Sequence, residues 1–200
     1  VLGDSIVFGQ GVEEPDTLSA QLEKLLIERA PGARWETINA GVRGYNSLHY
    51  VVFFEARILP LEPDFLVLVI TEINDPEREP FLPRSEKIEK WSRSFWSKVP
   101  LVRALRAGAY AGEVNRLFTE HVRGLYDPEG AEWPLFVSDL AAIRDQCRER
   151  GIVLVAVTFP LLEEGDLFHD ERARLQGALA ELGVDWADPL PEFARHSFKG

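Results

Sequence analysis

Three short stretches carry residue types that could do chemistry together. The first is Gly3-Asp4-Ser5, directly after apolar Val1-Leu2. The second is Gly41-Val42-Arg43-Gly44-Tyr45-Asn46-Ser47, and the third is Thr71-Glu72-Ile73-Asn74-Asp75. A serine at a sharp strand-to-helix turn can present both its hydroxyl and its own backbone N–H. Gly44 can bring a second backbone N–H close, because no Cβ stands in the way. Asn74 supplies a side-chain amide as a third donor. A serine surrounded by such donors is the set needed to attack a carbonyl and hold the resulting oxyanion. The plainer alternative is that Ser5 and Asn74 only cap helices.

The elements that must position these residues follow from hydrophobic periodicity. Val1-Leu2 reads as the end of a strand. LSAQLEKLLIERAPG places Leu18, Leu22, Leu25 and Leu26 on one helical face, with Asp16 or Thr17 as N-cap and Pro31-Gly32 as the stop. WETINAG (35–41) reads as a second strand, and a helix follows through 46–58, before Pro60. DFLVLVI (64–70) is the clearest buried strand, and IVLVAVTF (152–159) is another apolar strand, stopped by Pro160. Between them, about 76–130 reads as an insert of two or three helices over one edge of the sheet. It holds Trp91, Phe95, Trp96, Tyr110, Phe118 and Tyr126, as core or as the wall of a substrate pocket. A helix from Pro134 to Arg150 ends at Gly151, residues 170–182 look helical, and GVDWADP holds a last short strand. Apolar strands alternating with helices imply a parallel sheet covered on both faces. In such a sheet the three stretches each close a strand at its carboxyl end, so all three point into one crevice.

In this order and context the stretches resemble the conserved blocks of the SGNH hydrolases, the GDSL lipase/esterase family. VLGDSIVFGQGV matches the opening block, including Phe8-Gly9-x-Gly11, while INAGVRGYNS and ITEIND match the second and third. The resemblance implies a single domain over 1–200 with a flavodoxin-like, three-layer α/β/α fold, a central parallel five-stranded sheet and a helical insert after the third strand. It assigns Ser5 as nucleophile and first oxyanion donor, Gly44 as second donor and Asn74 as third. It implies an ester hydrolase acting on a small-molecule, carbohydrate or lipid ester without a cofactor.

Two departures stand out. Glu72 occupies a position where the family carries glycine, and an inward carboxylate there would oppose the oxyanion. It is expected to turn outward or to pair with an arginine such as Arg78 or Arg43. Further, the family's acid and base form an Asp-x-x-His block after the fifth strand, and PLPEFARHSFKG lacks it. Asp166-Leu-Phe-His169 has the spacing but precedes the last helix and strand. His196 lies nearer the place without an aspartate three residues before it, while His49 and His121 fall within helices. The chain reads as an excerpt at both ends, with its Asp/His pair expected beyond Gly200. An O-acyltransferase using the same residues, or an inactive module that only binds a ligand, are the other readings.

Composition narrows the classes. The chain has 200 residues, 46% of them hydrophobic, enough for one core. Its net charge of −11 and pI near 4.9 argue against nucleic acid or anionic lipid as main partners. A single cysteine, Cys147, excludes an internal disulfide and reads as a small, partly buried residue rather than a nucleophile. No metal-ligand spacing or phosphate loop is apparent, and no apolar run approaches the roughly 20 residues of a membrane span. Compartment and oligomeric state are not legible.

Overall fold

Five strands form one all-parallel sheet: β1 (Leu2–Gly3), β2 (Ala40–Gly41), β3 (Phe65–Thr71), β4 (Val153–Phe159) and β5 (Asp185–Ala187), in the order β2-β1-β3-β4-β5. The computed structural model describes residues 1–79, 81–82, 89–90, 98–160 and 167–195. The two apolar runs make the centre of the sheet, β3 and β4 pairing from Phe65↔Val153 to Thr71↔Phe159. The strand order reverses about β1, whose neighbours are β2 on one side and β3 on the other. Such a reversal opens a crevice at the carboxyl ends of the strands.

The helices are α1 (Ser5–Phe8), α2 (Leu18–Arg29), α3 (Ser47–Phe53), α4 (Pro100–Leu125), α5 (Glu132–Arg150), α6 (His169–Leu182) and α7 (Leu190–Arg195). In α5 the buried residues Trp133, Phe136, Leu140, Ile143 and Cys147 recur every three or four positions, the stripe of a core-facing helix. They join Tyr50 and Phe54, Leu175 and Leu179, and Leu66, Leu68 and Ile70 of β3 in one cluster. Successive residues of a strand point to opposite faces. On the other face of the central strands Phe65 is 54% exposed, although its ring meets that of Trp35 at 5.9 Å. Thr17 caps α2 through the Ala20 N–H, and Leu25, expected on its buried face, is exposed.

Several boundaries differ from expectation. Strand pairing at 35–41 is confined to Ala40–Gly41, which pair with Leu2 and Gly3. The helix foreseen over 46–58 stops at Phe53 and widens into a π turn over Phe54–Ile58. Pro60 has no N–H to give to the carbonyl of Ala56, so the chain cannot continue as α-helix. The insert contains α4, of 26 residues. Its last turn delivers Val122 and Leu125 to the core, and Tyr126 follows them. Phe118 is partly buried against the same core and Tyr110 is exposed. Trp91, Phe95 and Trp96 lie outside the described residues.

Candidate active site

Gly3 ends β1 and Ser5 opens α1, so the chain turns within two residues. Asp4 makes this turn. It is buried, its Oδ1 accepts from the Ile6 N–H at 2.9 Å, and its Oδ2 accepts from the Asn74 side-chain amide at 3.0 Å. Ser5 is partly exposed, and its hydroxyl and backbone N–H make no hydrogen bond to a described residue. It lines an open cleft of about 450 Å³ with Ile6, Gly9, Gln10, Val12, Asp16 and Leu18. Gly44 and Asn74 do not line that cleft.

Gly41 pairs with Gly3, and the Val42 N–H reaches the Gly3 carbonyl at 3.0 Å. Gly44 therefore follows the strand next to the one that ends at Ser5. Its φ of +76° is the reason for glycine, since a Cβ there would meet nothing within 4 Å. At Gly41 the backbone itself is crowded: an added Cβ would stand 2.5 Å from the Val7 carbonyl carbon. Like that of Ser5, the Gly44 N–H donates to no described residue.

Asn74 holds Asp4 with one N–H and has a second to offer, while its Oδ1 is buried without a partner. The second and third stretches are joined at several points. Ser47 N–H donates to the Asp75 carbonyl at 3.1 Å, and the Asn46 amide to the Glu77 carbonyl at 2.6 Å. Asp139 accepts from Ser47 Oγ at 2.7 Å and pairs with Arg78. Asp75, fully buried, accepts from Tyr50 Oη and the Thr71 N–H, each at 2.8 Å. Burial first, then the nearby Asp4 charge, pushes the Asp75 carboxyl well above the usual range.

Glu72 faces an arginine as expected, though neither Arg78 nor Arg43, and it does not turn outward. It is 1% exposed and faces Arg172 of α6, with Arg172 Nη1 3.5 Å from each carboxylate oxygen. Arg172, Asp188, Tyr50 and Asp139 were not singled out from sequence. Each is an isolated polar residue far along the chain from its partner, a pattern with no local signature.

The histidines are placed variously. His49 is exposed, stacks on Tyr45 and completes the cap of α3 with Asn46. His121 pairs with Glu77 at 2.8 Å beside Phe81. His169 is exposed at the start of α6. Asp166 and His196 lie outside the described residues. No cluster of potential metal ligands occurs among the described residues, and no described helix is long and apolar enough to cross a membrane.

No protein-family model and no curated protein sequence matches the chain. Solved structures do. The crystal structure of AlinE4, described as an SGNH-hydrolase family esterase, superposes with a TM-score of 0.58 at 16% identity, covering 98% of this chain and 78% of that one. A variant of the same esterase gives a TM-score of 0.57 at 16% identity over the same shares. At this identity the likeness speaks for architecture: the chain has the SGNH-hydrolase fold.

Proposed function

We propose that the protein hydrolyses carboxylic esters through an acyl-Ser5 intermediate. One observation carries this reading: the amide of Asn74 is held by Asp4, the residue before Ser5, across the point where the strand order reverses. Open parallel sheets gather their reactive groups there. Ser5 Oγ attacks the ester carbonyl as its proton passes to a base. The oxyanion takes N–H groups from Ser5 and Gly44 and the second amide hydrogen of Asn74. Collapse releases the alcohol, and water then cleaves the acyl-serine. The base belongs to an Asp/His pair following β5, as the resemblance implies. Ile6, Val12 and Leu18 give the cleft beside Ser5 an apolar lining suited to an acyl chain or an apolar alcohol. The esterase activity named for AlinE4 supports the class of reaction.

A fluorophosphonate probe tests this. Full-length protein should be labelled at Ser5, and Ser5→Ala should abolish labelling and turnover of a p-nitrophenyl acyl ester. A ligand-binding module is the second reading. It is favoured by the Ser5 hydroxyl having no hydrogen bond to a described histidine, and unlabelled full-length protein would establish it over hydrolysis.

A further inference from the structure

Arg172 joins the turn after β3 to the segment after β5. It lies in the first turns of α6 with 4% exposure. Its Nη1 stands 3.5 Å from both oxygens of Glu72, and its Nε 3.6 Å from Oδ2 of Asp188. Glu72 begins the turn after β3 that carries Asn74, and Asp188 follows β5. Asp188 is fixed further by the Gln176 amide at 3.0 Å and the Leu190 N–H at 2.8 Å. Gln176 is one helical turn beyond Arg172, so α6 holds Asp188 at two points. The Tyr126 phenol donates to the Glu72 carbonyl at 2.8 Å, and Arg174 donates to the Tyr126 carbonyl. A buried ion pair is an inefficient way to fill a core, because desolvation offsets its Coulombic gain. What a guanidinium adds is direction, with several N–H groups in a rigid fork that can face two carboxylates at once.

We infer that Arg172 is a positioning residue that fixes the Asn74 turn relative to the segment following β5. The inference rests on the proposed ester hydrolysis, in which the oxyanion donors come from one flank and the base from the other. Arg172 also sets a cation 3.5 Å from Glu72, which offsets part of the opposition a carboxylate would offer the oxyanion where the family has glycine. The spacing of donor and base is then set by one side chain rather than by two independent loops.

Amide hydrogen exchange in the full-length protein tests the coupling. Asp188→Asn should speed exchange at 71–75 roughly tenfold, although Asp188 belongs to another loop. The paired change Glu72→Gln with Arg172→Met removes both buried charges together and so should fold. On that background Asp188→Asn should leave 71–75 unaltered. Arg172→Lys keeps the charge and loses the fork. Its kcat on a p-nitrophenyl ester should fall about ten- to a hundredfold, with KM within about twofold. Exchange at 71–75 that ignores Asp188 in the parent overturns the inference. So does an Arg172→Lys enzyme as fast as the parent, or a paired variant that does not fold, which would make the cluster a folding element alone. Coupled exchange in a protein whose Ser5 is never labelled upholds the positioning role and removes only the esterase reading.

Discussion

The side-chain amide of Asn74 donates to Asp4 at 3.0 Å, while the other oxygen of Asp4 caps the Ile6 N–H at 2.9 Å. The aspartate between Gly3 and Ser5 thus both makes the serine turn and holds the amide of Asn74, the proposed third donor. Losing an oxyanion donor typically costs about 2.7–4 kcal/mol of transition-state stabilisation. Asn74→Ala should therefore lower kcat about 10²–10³-fold with little change in KM. Asp4→Ala should lower kcat by releasing Asn74, and lose in addition about 0.5–2 kcal/mol of stability with the cap. Because the two residues act through one bond, the double variant should lose less kcat than the product of the single losses. Steady-state kinetics on the four proteins, with denaturant melts alongside, checks this. Strictly multiplicative losses would sever the proposed link.

Two glycines of the second stretch should respond differently to alanine. At Gly41 the new Cβ would press on the backbone of Val7 and Phe8, which cannot yield without moving α1 away from β2. Such overpacking against main chain should remove about 3 kcal/mol of stability and displace Ser5. At Gly44 the Cβ enters open space, and only the left-handed φ of +76° opposes it. That costs about 1–2 kcal/mol. Thermal midpoints should therefore rank parent, Gly44→Ala, Gly41→Ala. Loss of kcat at Gly44→Ala should exceed its modest effect on stability, since the turn's N–H is the group at stake.

The sequence disclosed these elements unevenly, for physical reasons. The runs at 65–71 and 153–159 were legible because the central strands of a parallel sheet are almost continuously apolar. The Ser5 turn was legible because its residues are adjacent in the chain. Glu72 and Arg172 are 100 positions apart, and neither announces the other. The π turn at Phe54–Ile58 depends on Pro60, which periodicity does not weigh. At Gly44 the positive φ is a backbone property that residue type suggests but does not fix.

Cys147 offers a direct probe of the core. It is 1% exposed within the α5 stripe, and burial pushes its thiol up to about 11. Thiolate is the reactive form, so the native protein should be silent to a disulfide reagent at pH 8 and react fully once denatured. Appreciable native reactivity at that pH would mean that α5 opens locally.

Asp75 should give stability a measurable pH dependence. Its folded carboxyl lies well above the ordinary 3.8, through burial first and the Asp4 charge second. A raised folded value means the native state binds a proton that the unfolded chain has released. The associated stabilisation is complete below about pH 4, declines as pH rises, and is gone above the folded value. Across that window each pH unit removes about 1.4 kcal/mol. The Tyr50 phenol, kept protonated by the same burial, donates to Asp75 Oδ1 and favours its ionised form. Tyr50→Phe should therefore raise the folded value further and carry the decline to higher pH. It should also cost about 1–3 kcal/mol at neutrality, where a buried acceptor loses its partner. Urea melts of parent, Tyr50→Phe and Asp75→Asn from pH 4 to pH 9 separate these effects, since Asp75→Asn should remove the falling component altogether. A parent and Asp75→Asn with parallel pH profiles would show that Asp75 does not carry it.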